Sequence, residues 1–149
     1  MSPTQQLVKQ LKRYRAIEQA QKLTLSQQRL RWSQTETLKQ QAKLQLELTE
    51  QQLEQQALAA ENINWLMPEL MLGHSQYFQQ QQQQKKRQQQ ELRRLEHQQQ
   101  KNIEQLAQTQ KNQRTLAEKQ AVAKQQIQHL QQKQQDQILA ELHLAGKRG

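Results

Sequence analysis

The amino-acid sequence predicts an all-α protein: a long two-helix antiparallel coiled-coil hairpin that forms one domain over residues 1–149. Composition is the first indication, because only 33% of the residues are hydrophobic, against about 45–50% in ordinary globular domains. The polar remainder is mostly Gln, Lys, Glu and Arg, which lose little rotamer freedom in a helix. The second indication is that Gly and Pro are confined to the two ends and to one point in the middle. The third is a heptad pattern of apolar residues on both sides of that point.

The interruption lies in residues 62–75, which read Asn-Ile-Asn-Trp-Leu-Met-Pro-Glu-Leu-Met-Leu-Gly-His-Ser. Pro68 disfavours helical angles at the residue before it, and Gly73 suits the left-handed conformation that ends many helices. Ser75 can cap a new helix. We therefore expect a first helix over about residues 3–64, a turn over about 65–74 and a second helix over about 75–145. One continuous helix in a parallel dimer is the main alternative, and Pro68 with Gly73 argues against it.

The outer ends of both helices carry their own signals. Ser2 suits the N-cap, Pro3 the first helical position, and Gln5 the partner position of a capping box. Gly146, followed by two basic residues, is typical of a helix C-terminus.

Apolar residues at heptad spacing predict a narrow seam between the two arms. In the first arm one frame places on the seam Leu7, Leu11, Tyr14, Leu25, Trp32, Ala42, Leu46 and Leu53, together with the polar residues Glu18, Gln21, Gln28 and Lys39. Leu23, Leu30 and Leu44 form a second stripe, which we expect beside it. In the second arm the expected seam residues are Leu92, Leu95, Ile103, Leu106, Leu116, Ala123, Ile127, Leu130, Ile138 and Leu142, interrupted by Gln99, Gln113, Gln120 and Gln134. We expect so polar a seam to be marginally stable, because each buried amide needs a partner.

Charge suggests a register for the hairpin. A fold about residues 70–71 makes facing residue numbers add to about 141. That arrangement sets Glu47 opposite Arg94, Glu50 opposite Arg93 or Glu91, and Glu54 opposite Arg87. Opposite charges across a seam set the orientation of coiled coils, and the pattern therefore favours the antiparallel hairpin.

The net charge of +9 is unevenly distributed. Residues 1–43 contain nine Lys and Arg against two acids, residues 44–84 none against five, and residues 85–149 thirteen against six. The hairpin should therefore be strongly basic where the chain ends meet, notably at Lys9, Lys12, Arg13 and Arg15. Such a surface is either a solvated helix face or a docking site for an acidic partner.

The other end of the predicted hairpin is apolar. The tip cluster comprises Ile63, Trp65, Leu66, Met67, Leu70, Met71, Leu72, Tyr77 and Phe78. A two-helix turn cannot enclose so many large side chains, so some should be exposed and available to a partner. The alternative is that they only cap the hairpin's own core.

Several function classes lack support in the sequence. There is no cysteine, no Gly-rich phosphate loop and no pairing of the four histidines at ligand spacing, so we expect no enzyme activity, no cofactor and no metal. No apolar run approaches the roughly 20 residues that cross a bilayer, and the first residues do not resemble a signal peptide. We expect a cytoplasmic protein without direct membrane insertion.

The sequence resembles the FliJ/YscO family, the small stalk proteins of flagellar and injectisome type III secretion systems. The resemblance covers the whole chain and rests on its length and on the basic stretch Leu7-Val-Lys-Gln-Leu-Lys-Arg-Tyr-Arg15. A mid-chain break followed by Ser75-Gln-Tyr-Phe78, and the later Gln90-Glu-Leu-Arg-Arg-Leu-Glu96, complete it.

The resemblance implies an antiparallel coiled coil that couples a hexameric export ATPase to the export-gate protein at the cytoplasmic face of the secretion apparatus. It implies that Lys9, Lys12, Arg13 and Arg15 face the ATPase, that Tyr77 and Phe78 contact the gate, and that some members handle secretion chaperones. A generic cytoplasmic coiled-coil adaptor or scaffold is the alternative. A basic nucleic-acid-associated coil is less favoured, because no specific nucleic-acid-reading motif is present.

Overall fold

The computed structural model describes residues 2–62 and 68–148. Two helices occupy them, α1 over Pro3–Asn62 and α2 over Pro68–Arg148, and these two ranges contain no strand. The helices pack against each other in antiparallel orientation. The predicted all-α helical hairpin is confirmed.

The capping box at the start of α1 is confirmed. The Gln5 backbone N–H donates to Ser2 Oγ at 3.2 Å, and the Ser2 backbone N–H donates to Gln5 Oε1 at 3.3 Å. Pro3 takes the first helical position, where the missing N–H of proline has no intrahelical partner to lose. Three consecutive sequence features therefore set the start of α1.

The start of α2 differs from the prediction. The helix begins at Pro68 and continues through Gly73 and Ser75, so the predicted turn is wrong over residues 68–74, and so is the N-cap at Ser75. The remainder of the predicted turn, residues 65–67, lies outside the described residues. Gly73 has no positive φ. The physical reason is that Pro68 opens the helix from its first turn, the position at which proline is well tolerated. Gly146 likewise lies inside α2, which ends at Arg148.

The contacts of the chain group it into two compact units. Unit 1 contains Met1–Gln27 and Leu106–Gly149, and unit 2 contains Gln28–Gln105. Each unit holds one segment of α1 and one of α2. The expected single domain stays a prediction, and the two units are described separately.

Unit 1 has a mainly apolar seam. Leu11 and Leu25 of α1 and Leu116 and Ala123 of α2 are its buried apolar residues, and Thr109 is also buried. Across the seam, Gln120 Nε2 donates to Glu18 Oε2 at 3.0 Å. The residue numbers of this facing pair add to 138.

Unit 2 has a mainly polar seam. Leu53 and Leu95 are buried, but so are four polar residues: Thr35, Thr49, Gln99 and Asn102. Asn102 Nδ2 donates to Thr35 Oγ1 across the seam at 3.1 Å, and to Gln99 Oε1 at 3.1 Å. We call Thr35, Glu36, Gln99 and Asn102 the Asn102 layer.

Gln99 completes the Asn102 layer by bonding back to α1. Its Nε2 donates to Glu36 Oε2 at 2.9 Å and to the backbone carbonyl of Trp32 at 3.2 Å. The hydrogen bonds that Gln40 and then Gln99 donate lower the pKa of Glu36 below its ordinary value, because they stabilise the carboxylate. The layer thus joins the two helices by three cross-seam hydrogen bonds, each donated by α2 to an acceptor on α1.

The register predicted from charge is wrong. The pair Thr35 and Asn102 adds to 137, and the cross-seam ion pair of Lys85 with Glu50, at 3.9 Å, adds to 135. The predicted value was 141, which is displaced by roughly one helical turn from 137. Arg94 pairs instead with Glu91 on its own helix. Surface charges therefore did not determine the register, because exposed ion pairs contribute little free energy.

The heptad frame of α1 is confirmed: every predicted seam residue is buried or half-buried except Trp32, at 38% exposure. In α2 the prediction fails at Ile103, which is exposed because its neighbour Asn102 occupies the seam. Gln134, Ile138 and Leu142 are exposed as well. The remaining predicted positions of α2 are buried or half-buried. Leu23, Leu30 and Leu44 do not lie beside the seam but are exposed.

Engineered disulfides distinguish the two registers. The chain has no cysteine of its own. Thr49→Cys with Gln88→Cys, whose numbers add to 137, should close an intramolecular disulfide quickly under mild oxidation. Leu53→Cys with Gln88→Cys, which adds to 141, should close more slowly, because its Cβ atoms are displaced along the helices. Mass spectrometry of non-reduced peptides measures both rates, and the opposite ranking would restore the charge-based register.

Loss of the Asn102 side-chain amide should destabilise unit 2. Asn102→Ala leaves the Thr35 hydroxyl and the Gln99 carbonyl without their partner and should lower the free energy of unfolding by about 1–3 kcal/mol. Urea denaturation followed by circular dichroism measures the loss. The matched control is Gln100→Ala at an exposed position of the same helix, which should change stability by less than about 0.5 kcal/mol. Equal effects of the two substitutions would contradict a role for the layer.

Candidate functional site

Unit 1 carries nearly all of the net charge. By sequence it contains twelve Lys and Arg against four Asp and Glu, whereas unit 2 contains ten against nine. Unit 1 thus has a net charge of +8 and unit 2 of +1. The strongest electrostatic feature of the protein therefore belongs to the unit that holds both terminal segments.

The predicted basic residues Lys9, Lys12, Arg13 and Arg15 are all exposed. Lys9, Lys12 and Arg13 occupy outward positions of the heptad frame of α1, whereas Arg15 directly follows the seam residue Tyr14 and flanks the seam. None takes part in the three ion pairs found among the described residues. We call these four residues the basic face of α1.

The only acid of unit 1 on α1 is already engaged. Glu18 accepts a hydrogen bond from Gln120 and pairs with Lys22 at 3.3 Å. These contacts, first the Gln120 hydrogen bond and then Lys22, lower the pKa of Glu18 below its ordinary value. The basic face therefore has no free carboxylate of its own helix segment to neutralise it.

Beside the basic face, α1 and α2 enclose a shallow groove. The groove is lined by two residues of α1 and six of α2: Gln10, Tyr14, Thr115, Glu118, Lys119, Val122, Ala123 and Gln126. Gln10 Nε2 donates to the Tyr14 hydroxyl at 2.9 Å. The groove offers an aromatic ring and an exposed valine next to positive charge, which is a combination suited to contact with a protein surface.

The end of α2 is a second feature of unit 1, and the sequence analysis missed it. Every residue from 131 to 147 is exposed. In the register of unit 1, Pro3 at the start of α1 faces about residue 135, so the rest of α2 lies beyond the range that α1 faces. Four large aliphatic side chains in this segment are therefore more than half exposed: Ile138, Leu139, Leu142 and Leu144. The combination of heptad register and the start of α1 was the signal that could have located it.

The predicted tip site is only partly described. Trp65, Leu66 and Met67 lie outside the described residues. Tyr77 is exposed, whereas Phe78 is half-buried and lines a groove with Leu53 and Ala57 of α1. The two aromatic residues are therefore not equivalent: Tyr77 is available to a partner, and Phe78 contributes to the packing of unit 2.

Two further findings for the described residues concern metal binding and membrane crossing. Residues 2–62 and 68–148 contain no group of three His, Asp or Glu placed to hold a metal ion. No helix in the same ranges has a stretch long and apolar enough to cross a membrane. The candidate site is thus defined by charge, exposure and helix geometry.

The rate of amide hydrogen exchange should differ between two segments of α2 within unit 1. Amides of residues 131–147 should exchange much faster than those of residues 112–128, because a single helix without a packing partner is marginal in water. Both segments are rich in Gln and helix formers, so the second serves as an internal control. Exchange followed by mass spectrometry measures the difference. Equal protection would show that the 131–147 segment is packed against something.

Comparisons with protein-family models, with curated proteins and with solved structures return no match to this chain. The candidate site therefore rests on three features of the chain itself: the basic face of α1, the groove at Tyr14 and the exposed end of α2.

Proposed function

We propose that this protein is a coupling stalk of a type III secretion export apparatus, which links a hexameric export ATPase to the export gate. The observation that carries the proposal is the concentration of charge: unit 1, with both terminal segments, has a net charge of +8. The family resemblance of the sequence supplies the identity of the partners. The protein's role in the proposal is to bind and to transmit force.

The basic face supports contact with the ATPase. Lys9, Lys12, Arg13 and Arg15 are exposed and have no ion-pair partner among the described residues. An acidic surface on the ATPase would gain electrostatic attraction from these residues, which raises the rate of association and fixes orientation. Because all four side chains are exposed in the hairpin, binding requires no opening of it.

The exposed end of α2 supports the same assignment. Residues 131–147 form a helical segment without a covering partner in this chain. A single helix with its side chains is about 10–12 Å across, so this segment is the narrowest element that unit 1 can offer to the central opening of a ring. Its exposed aliphatic side chains would be covered there.

In unit 2, Tyr77 supports contact with the gate. It is exposed and follows Trp65, Leu66 and Met67 in the sequence. Tyrosine is a frequent anchor in interfaces, because it combines a large apolar ring with a polar group. Secretion chaperones remain a further candidate partner for the same surface.

Reversal of the basic face tests the proposal. The purified chain should bind a hexameric type III export ATPase and stimulate its ATP hydrolysis. Lys12→Glu combined with Arg13→Glu and Arg15→Glu should abolish both effects, since it replaces attraction by repulsion. A pull-down and a phosphate-release assay measure binding and stimulation.

The matched control reverses three exposed basic residues of α2 in the same unit: Lys111→Glu, Arg114→Glu and Lys124→Glu. It changes net charge by the same amount and should retain most of the stimulation. An ATPase that does not respond to the wild-type protein would contradict the stalk and favour the generic adaptor. Sequence-specific DNA binding that survives about 200 mM salt would instead favour the nucleic-acid-associated coil.

A further inference from the structure

The outward face of α1 in unit 2 carries a line of exposed leucines. Leu30, Leu44 and Leu58 are separated by multiples of seven residues, and Leu48 follows Leu44 by one turn. All four are between 59% and 62% exposed. We call them the outer leucine stripe.

Geometry places this stripe opposite the seam. Each of Leu30, Leu44 and Leu58 follows the seam positions Gln28, Ala42 and Gln56 by two residues, a rotation of about 200° at 3.6 residues per turn. A spacing of seven residues, or a multiple of seven, keeps one face of a helix toward a partner that winds around it. The first helix thus has two heptad faces, of which the hairpin covers one.

The second helix has no matching stripe. Within its described side chains in unit 2, residues 72–105, the large exposed hydrophobic residues are Leu72, Tyr77 and Ile103, which do not share a heptad position. If two copies of the chain associate through an apolar stripe in this unit, α1 must therefore meet α1. Such a contact is isologous, with the same surface used by both copies.

Charge along α1 selects the direction of that contact. Residues 28–43 contain four Lys and Arg against one Glu, and residues 44–62 contain four Glu and no Lys or Arg. Arg29 and Arg31 lie next to the stripe at one end, and Glu54 and Glu61 flank it at the other. These four side chains are exposed and belong to none of the ion pairs among the described residues. A parallel pair would set acids beside acids, whereas an antiparallel pair sets each basic end beside an acidic end.

We propose that the outer leucine stripe of α1 binds a second copy of this chain in antiparallel orientation, with a two-fold axis near Leu44 and Leu48. Near each end of the pair, Arg29 of one copy and Glu61 of the other lie on the same side of the stripe, and Glu54 lies closer to the axis. The contact buries the exposed leucines and adds one helix pair to those of the two hairpins. The inference stands on unit 2 and does not depend on the proposed secretion role.

Complementary charge variants test the proposal. The first variant is Arg29→Glu with Arg31→Glu, and the second is Glu54→Arg with Glu61→Arg. Each variant alone should have a dissociation constant raised about tenfold or more, because like charges meet at both ends of the dimer. Mixed in equal amounts, they should form a heterodimer in which both ends are again attractive. Sedimentation equilibrium at low salt measures all three samples.

The control for the first variant is Arg87→Glu with Arg93→Glu, which reverses two exposed charges on α2 of the same unit and should leave association unchanged. Leu44→Glu with Leu48→Glu should abolish association while circular dichroism retains the helix content, because both leucines are exposed in the single chain. A wild-type chain that stays monomeric at high micromolar concentration would overturn the proposal. So would a mixture of the charge variants that associates no better than each alone.

Cysteine substitutions report whether the two copies of α1 run parallel or antiparallel. In the cysteine-free chain, Leu30→Cys mixed with Leu58→Cys should yield intermolecular disulfides between the two different positions. A parallel dimer would instead favour disulfides between two copies of Leu30→Cys, and that result would overturn the antiparallel arrangement. Cross-linking in equal amounts between all combinations would indicate nonspecific association and would also contradict the proposal.

Discussion

The hydrogen bonds of Asn102 to Thr35, and of Gln99 to Glu36, are the constraint on which the description of unit 2 depends. They decide which residues of α1 and α2 face each other. A shift of one residue would rotate every side chain by about 100° around its helix and would bury a different set. The Asn102 layer therefore determines that the leucine stripe points outward, although it contains none of those leucines.

The polar seam of unit 2 specifies one helix register but contributes less stability than an apolar seam would. An apolar pair at its centre would bury more hydrophobic area, yet would accept neighbouring registers almost equally well, whereas a buried amide is satisfied in only one. Other seam amides are less well placed: the Oε1 atoms of Gln56, Gln81 and Gln88 are buried without a hydrogen-bond partner in the described part of the protein. A buried acceptor of this kind costs about 1–3 kcal/mol, so the unit has little stability in reserve.

The sequence was informative wherever one local rule sufficed. The capping box of Ser2 and Gln5 and the heptad frame of α1 follow from spacing alone, and both are confirmed. It failed where two rules competed. Ile103 was preferred over Asn102 because hydrophobicity usually decides seam positions, but continuation of the α2 heptad from Leu95 puts Asn102 there. Pro68 was taken as a break, although proline also begins helices. The register needed atomic contacts, since many charge pairings are possible and each is weak.

The outer leucine stripe and the polar seam lie on opposite faces of α1, and the apolar residues are distributed unequally between them. In unit 2 the seam buries two apolar residues, Leu53 and Leu95, and four polar ones, while four leucines stand exposed on the opposite face of the same helix. Full burial of a leucine contributes about 1.5–3 kcal/mol, so the larger hydrophobic contribution available to α1 lies outside the hairpin. In the proposed dimer, the inner face of α1 would specify the register and its outer face would gain this contribution on association. The polar seam of unit 2 would then be one half of a larger helical assembly.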